Sequence, residues 1–409
     1  MTAHGRDAIV IDGDGHVMEP PDLWLRRMDR RKWGDWIPYE ETQDGVYVVR
    51  WAGGELRAGG REVTDALCRR LGIAPAALHE IYERMHVPGG EDPSARIADM
   101  DRDGIDAAVL YPSTALFFGP VDPIPAFRNV DFVLDCQRAY NDWVAEYCRA
   151  HPKRLFGLGV VPLQDPERAV REAGRAVQEL GLVGVCVRPS AYVEELPLSH
   201  PVYDRFWAAC QDLDVPVAFH PGVHVDTPGA CRKFGLVLDS GNTMLTNVAQ
   251  DEVHGGSGLG QAVGNTVDMT VTLGRLLMGG VCERFPRLRF LCLESGGGWI
   301  PTLLQRMDEQ VRAFPLEAPW LKQLPSEYFR RQGYAGFEAE EWNLAASARF
   351  LGADRILWAS DYPHPEYHPG IMQDLFESLR ELSAPEQRQI LGANAIAAYG
   401  LPADAGARS

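Results

Sequence analysis

The tripeptide Asp14-Gly15-His16 closes the first apolar run of the chain, AIVIDGDGH. Side chains two apart on a strand point to one side, so a carboxylate and an imidazole at this spacing face the same point and can meet one ion. Both groups are ordinary ligands of zinc, iron or manganese. The same arrangement recurs where other apolar runs become loops: His220 in Phe219-His220-Pro221-Gly222, Glu294 in the run from Glu294 to Trp299, and Asp361 in Ser360-Asp361-Tyr362-Pro363-His364. Each alone reads as a polar strand end. Four together point to a metal site.

Charge counting opens two possibilities. Asp14, Glu294 and Asp361 are anionic, and His16 and His220 are neutral as ligands. One divalent ion leaves the set with a single negative charge. Two leave a single positive charge, able to hold an oxide, a peroxide or a substrate carboxylate. His224, four residues after His220, and His364, three after Asp361, are candidates to complete a second coordination sphere, and Glu338 is a further one. Glu338 also reads as part of a charged helix start in GFEAEEW. Arg188, at the exit of VGVCVRPS, is the candidate anchor for a substrate anion, or else pairs with a framework carboxylate.

The elements that position these residues follow from the pattern of apolar runs. Eight recur: AIVIDGDGH, AAVLYPS, LFGLGVVPL, VGVCVRPS, VPVAFHPG, RFLCLESGG, YAGF and ILWASDYPH. They are continuous rather than alternating, as strands buried on both faces of a parallel sheet are. Amphipathic stretches such as PERAVREAGRAVQELG lie between them, with Pro166 at a helix start and Gly181 past its end. The expected fold is α/β, a (β/α)8 TIM barrel forming one domain over residues 1–409. No GxGxxG follows the first strand, which argues against a dinucleotide site. Two insertions interrupt the repeat. Residues 23–86 include a hairpin expected around Gly53 and Gly54, and residues 221–268 form a long Gly-rich connection after the fifth strand, expected to line or cover the pocket before the helix that starts at Met269.

Composition sets the outer limits. Against 57 Asp and Glu stand 40 Lys and Arg, a net charge of −17, which argues against nucleic acid or an anionic membrane as a partner. Hydrophobic residues at 45% supply a large core. No apolar run reaches the roughly 18 residues of a spanning helix, and the start lacks the pattern of a signal peptide, so a cytoplasmic protein is expected. The 8 cysteines are scattered without a CxxC pair, and Cys186 and Cys292, inside apolar runs, read as small core residues.

DGDGHVMEP, RIADMDRDGIDAAVLYPS, the HPG after strand five, GVCERFPRLRFLCLESGGGW, WASDYPH and ILGANAIAAYGL together resemble the amidohydrolase-related, metal-dependent TIM-barrel family that contains aminocarboxymuconate and resorcylate decarboxylases. The resemblance covers nearly the whole chain. It implies metal ligands at Asp14, His16, His220 and Asp361. Decarboxylating and hydrolytic relatives commonly carry a histidine on strand six where this sequence has Glu294. That carboxylate and the extra histidines resemble a second branch, the TIM-barrel non-haem di-iron monooxygenases of diterpenoid biosynthesis, whose relatives act on coenzyme A thioesters.

Two functions are therefore expected, in order. The leading one is a monooxygenase with two iron ions, using dioxygen and an electron donor, with Glu294 and Asp361 as catalytic groups. Its substrate would be a small organic acid or a coenzyme A thioester; the latter would need cationic surface at the pocket mouth, for which Arg330 and Arg331 are the candidates. The alternative is a mononuclear zinc or manganese hydrolase or non-oxidative decarboxylase in which Asp361 or Glu294 moves protons. A homodimer is expected from the resemblance and the large insertion. A barrel without catalysis is the third reading.

Overall fold

The computed structural model describes residues 8–43, 46–50, 87–119, 125–222, 260–364 and 366–407. All eight expected apolar runs form strands: β1 (Ile11–His16), β2 (Ala107–Tyr111), β3 in two pieces (Leu155–Gly157 and Gly159–Val160), β4 (Val185–Val187), β5 (Val217–Phe219), β6 (Phe290–Cys292), β7 (Gly333–Glu338) and β8 (Ile356–Ala359). Their continuous apolar character has the expected cause, since every residue of β1 to β6 and of β8 is buried. Neighbouring strands are parallel throughout. At the break in β3, the first piece pairs with β2 and the second with β4. The seam between β8 and β1 is carried just past the end of β8, where Asp361 N–H donates to the Asp14 carbonyl (3.1 Å) and His16 N–H to the Tyr362 carbonyl (2.6 Å). The fold is a TIM barrel.

Helices return the chain from each strand to the next: α1 (Pro93–Asp103), α2 (Val130–Arg149), α3 (Pro166–Gln178), α4 (Asp204–Asp212), α5 (Thr266–Leu277), α6 (Ile300–Ala313), α7 (Leu344–Leu351) and α8 (Ile371–Leu379), with α9 (Asn394–Tyr399) closing the chain. Their starts are chemically marked. Asp92, Asn129 and Asp165 each accept two backbone N–H groups of the first turn of α1, α2 and α3. The helix α5 begins at Thr266 rather than Met269. It ends at Leu277 because Gly279 lies where a Cβ would fall 2.3 Å from the Ser199 side chain, and Gly280 takes φ 76°. Among the described residues no helix is long and apolar enough to cross a membrane.

Both insertions fall partly outside the described residues, including Gly53, Gly54 and residues 223–259. The described hairpin differs from the expected one. Val46–Arg50 pairs antiparallel with Tyr39–Gln43, the segment before it, so its described partner does not lie across Gly53 and Gly54. An alternating run shows that a strand has one apolar face, not which neighbour it takes.

The first strand carries a feature its sequence does not announce. Asp12 stands opposite Ala108 and Gly15 opposite Leu110, so Gly13 and Asp14 share one partner position: a β-bulge. Both glycines are required by space. A Cβ on Gly13 would lie 3.0 Å from the Trp358 carbonyl oxygen, and one on Gly15 would lie 2.5 Å from Arg96 Nη2 and 2.6 Å from Asp12 Oδ2. Gly15→Ala is therefore expected to destabilise the protein by about 1–3 kcal/mol, the usual cost of forcing volume into a filled site. A chemical-denaturation midpoint equal to that of the parent would show that Arg96 yields without cost.

Candidate metal centre

The ends of β1, β5, β6 and β8 bring their ionisable groups together. His16 Nε2 and His220 Nε2 lie 3.1 Å apart. Asp14 Oδ1 is 3.8 Å from the first and 3.7 Å from the second, and Asp361 Oδ1 is 3.3 Å from His16 Nε2. Asp14, His16, His220 and Asp361 are all at most 3% exposed. Each ring has its other nitrogen committed, His16 Nδ1 to the Pro112 carbonyl and His220 Nδ1 to the Pro221 carbonyl, both at 3.0 Å. Those nitrogens carry the protons, so in the neutral rings both Nε2 atoms present lone pairs to one another. Asp14 Oδ1 is buried with no hydrogen-bond partner. Two facing lone pairs and an orphaned carboxylate oxygen are repulsive as they stand and become favourable around a cation. The donor set fits one divalent ion.

Electrostatics separates the carboxylates into two kinds. Burial, with the charges of Asp361 and Glu294 added, pushes Asp14 well above the usual range, and burial with Asp361 does the same to Glu294. Asp361 goes the other way: against its burial, His364 and His16 hold it well below the usual range. Burial lowers His16 to about 3 and also lowers His220. Glu294 Oε2 lies 3.0 Å from His220 Nε2, and with that nitrogen an acceptor the Glu294 carboxyl is the O–H donor. Glu294 and Asp361 both sit at positive φ, 43° and 54°, a conformation side chains other than glycine rarely take.

His364 is engaged on both sides. Its Nδ1 faces Asp361 Oδ1 at 3.0 Å and its Nε2 faces Ser113 Oγ at 3.1 Å, while the serine donates its one proton to the Val17 carbonyl at 2.8 Å. Both ring nitrogens therefore donate, and Asp361 raises the imidazole to about 9. His16, Asp361 and His364 form a second triad within ligand reach of one another, yet it shares His16 with the first. An imidazole whose Nδ1 is protonated has one lone pair and serves one ion. His364 thus stands in that triad with both ring nitrogens engaged, by Asp361 and by Ser113, and His224 lies outside the described residues.

The other expected residues fall as follows. Arg188, 2% exposed, stands one residue past β4 with its guanidinium carbon 5.6 Å from the Phe117 ring, and a Cβ on Gly222 would come within 3.5 Å of its Nε. It belongs to the same mouth as His220. Glu338 is not at a helix start. It is the last residue of β7, and α7 begins only at Leu344. Its carboxyl is raised by burial and by Asp361, Asp14, Glu341 and Glu294, which places it beside the site. Arg330 and Arg331 lie in the helix Pro325–Gln332 that leads into the start of β7, at the opposite end of the barrel from the mouth. They donate to the Phe350 and Cys282 carbonyls, so they do not line the pocket.

Several working residues escaped the sequence reading. Asp12 accepts Ser360 N–H (3.0 Å), Ser360 Oγ–H (2.5 Å) and Asp14 N–H (3.3 Å). Arg96 lies 3.7 Å from Asp12, donates to the His16 carbonyl at 2.9 Å, and stacks 4.0 Å from the Tyr362 ring. The signal was present, since Asp12 opens DGDGH and Arg96 opens RIADMDRDG. Glu19, three residues past His16, accepts Thr114 N–H (2.9 Å) and Ala115 N–H (3.0 Å), fixing the loop that carries Ser113 and Phe117.

The family described as Amidohydrolase matches residues 11–401. The chain belongs to this family. Among curated amidohydrolase-family relatives, the 2-amino-3-carboxymuconate-6-semialdehyde decarboxylase of Dictyostelium discoideum is 26% identical over 315 residues, 76% of this chain and 77% of that protein. The gamma-resorcylate decarboxylase of a Rhizobium species is 28% identical over 283 residues, 66% of this chain and 76% of that protein. Among solved structures, a dihydroxybenzoic acid decarboxylase from Polaromonas with bound manganese and the inhibitor 2-nitroresorcinol superposes with a TM-score of 0.61 at 23% identity, over 82% of this chain and 93% of that one. These findings overturn the leading expectation of a di-iron monooxygenase, and with it two iron ions, dioxygen and an electron donor. The relatives are named decarboxylases, not oxidoreductases. The shared lone pair of His16 gives the physical reason why counting charges alone misled.

Burial raises Glu19 from 4.5 to about 7. The folded chain therefore keeps a proton that the unfolded chain has released, and the stabilisation this provides is full below about pH 4.5 and lost as pH rises through about 7. The melting temperature of the parent, measured relative to Glu19→Gln, is expected to fall as pH rises from about 5 to 8. Parallel curves for the two proteins would show that Glu19 titrates as it does in water.

Proposed function

We propose that the protein is a mononuclear metal-dependent, non-oxidative decarboxylase of a small unsaturated or aromatic carboxylic acid. Asp14, His16, His220 and Asp361 hold one divalent ion, manganese or zinc. The observation that carries this reading is the pairing of that donor set with the Glu294 carboxyl at its edge, 3.0 Å from His220 Nε2. The names of the curated relatives support the reaction type.

When bound, the ion supplies positive charge that draws a substrate oxygen and stabilises negative charge developing on it. Arg188, buried one residue past β4, meets the substrate anion. Phe117 beside it offers an apolar face to a planar substrate. Glu294 gives its proton to the carbon that bears the carboxylate. The carbon–carbon bond to that carboxylate then breaks, its electron pair returns to the conjugated system, and carbon dioxide leaves. Water restores the proton to Glu294. Asp361, kept ionised by His364, stays a fixed charge throughout. The raised Glu294 and the lowered Asp361 are the separation that assigns an acid and an anion to two neighbouring carboxyl groups.

Protein prepared with manganese is expected to hold one ion per chain. With a panel of hydroxybenzoates such as 2,6-dihydroxybenzoate, it is expected to release carbon dioxide without oxygen or reductant. In heavy water the vacated carbon takes deuterium. Glu294→Gln is expected to lower kcat by about 10²–10⁴-fold with the ion retained, and Arg188→Gln to raise KM chiefly. Two ions per chain with oxygen-dependent turnover would refute the reading.

A further inference from the structure

Two buried tyrosines meet at the β1 bulge. Tyr399, the last residue of α9, donates its hydroxyl proton to the Gly13 carbonyl at 2.7 Å. That proton being spent, Tyr111 is the donor in the 2.6 Å contact between the two hydroxyls. Tyr111, the last residue of β2, has its ring 5.5 Å from the His220 ring and 6.1 Å from the His16 ring. The pair is 0% and 2% exposed.

A bulge takes one residue out of the ladder and leaves its backbone groups in need of other partners. Here the stretch is Gly13-Asp14: Asp14 N–H goes to Asp12 and its carbonyl accepts from Asp361, while the partner for the Gly13 carbonyl comes from the far end of the chain. Tyr399 is held there by its own element. The Trp358 indole of β8 donates to the Leu391 carbonyl just before α9 (3.1 Å), and Gly392 lies so close to the first strand that a Cβ would stand 2.6 Å from the Ile9 carbonyl oxygen. The next peptide unit carries Asp14, whose Oδ1 has no hydrogen bond of its own to hold its direction. Its orientation therefore depends on the peptide before it.

We infer that Tyr399 and Tyr111 are positioning residues for the metal centre: the hydroxyl chain from Tyr111 through Tyr399 to the Gly13 carbonyl fixes the Gly13–Asp14 peptide and so aims the Asp14 carboxylate at the ion. This rests on Asp14 being a ligand, as proposed above. The C-terminal helix is thereby part of the site, although no residue of it reaches the mouth.

The test is a manganese titration of the metal-depleted full-length protein, with the electron paramagnetic resonance spectrum of the bound ion and the melting temperature of the metal-free protein recorded alongside. Tyr399→Phe keeps the ring and removes the hydroxyl. It is expected to weaken manganese binding about 10–100-fold, the usual cost of losing a group that orients a ligand, and to broaden the spectrum. Tyr111→Phe leaves the bond to Gly13 intact and is expected to weaken binding several-fold with a smaller change in melting temperature. It decides the question should Tyr399→Phe fail to fold. Parent affinity and an unchanged spectrum in the folded variants, with only the melting temperature lowered, would overturn the inference and leave the pair as core hydrogen bonds. An Asp14→Asn variant that binds manganese as tightly as the parent would instead remove the ligand assignment, and the inference with it.

Discussion

Two imidazole nitrogens with their lone pairs turned toward each other, 3.1 Å apart and walled in by carboxyl groups, form the constraint on which this site is built. Nothing among the described residues relieves it fully. The nearby hydrogen-bond donors are already committed, and Glu294 can satisfy only one of the two nitrogens. The single cation proposed above would answer all of it at once: it would take both lone pairs, give Asp14 Oδ1 a partner and offset the mutual repulsion of Asp14 and Asp361. A site so arranged favours a bound cation over the empty state.

Holding it open requires a rigid frame, and the frame is the seam between the first and last strands. Asp12 receives the Ser360 backbone and hydroxyl, so a side chain of β1 fixes the turn that leads to Asp361. Arg96 closes the other side by gripping the His16 carbonyl and covering Tyr362. A buried ion pair like Asp12 and Arg96 is weak evidence for stability, because desolvation offsets much of its attraction. What it supplies here is geometry, setting the register of two strand ends that carry three of the four donors. Placing Glu294 and Asp361 in the left-handed region costs of order 1–3 kcal/mol each, strain that such a frame can sustain.

Most of the barrel was legible in the sequence because burial on both faces writes a continuous apolar run, and each of the eight runs proved to be a strand. The donors were legible for a related reason. A charged residue ending such a run has nowhere to go but the mouth. What stayed hidden depends on contacts between distant segments. Tyr399 is 386 positions from the carbonyl it binds, and a lone aromatic in an apolar C-terminal helix has no pattern to mark it. Glu338 stayed open between a site position after the seventh strand and a helix start because three glutamates after an apolar run look the same whether they begin a helix or end a strand. Arg330 and Arg331 were assigned to the pocket by charge, without regard to which end of β7 they precede. The bulge in β1 was invisible because spacing by two places Asp14 and His16 on one face whether or not an extra residue intervenes before them.

The contrast between Glu294 and Asp361 is what turns a binding site toward proton chemistry. Asp361 is buried and the Glu294 side chain is 10% exposed, both follow an apolar strand, and both lie on the same cluster, so burial alone would raise both. Their second neighbours differ. Asp361 has His364, itself locked by Ser113 into donating on both sides, whereas Glu294 has the accepting nitrogen of His220. One carboxyl therefore faces a ring that donates to it and is held low, while the other is raised by burial and by Asp361. A histidine at position 294 would supply a base of intermediate strength that gains and loses its proton near neutrality. A buried glutamic acid stores the proton more firmly and releases it only when negative charge builds on the substrate next to it. That requirement is met by a conjugated carboxylate, whose carbon becomes basic as an electron-rich oxygen pushes density toward it. On the proposed function, the glutamate on strand six would tie proton release to the chemistry of the substrate.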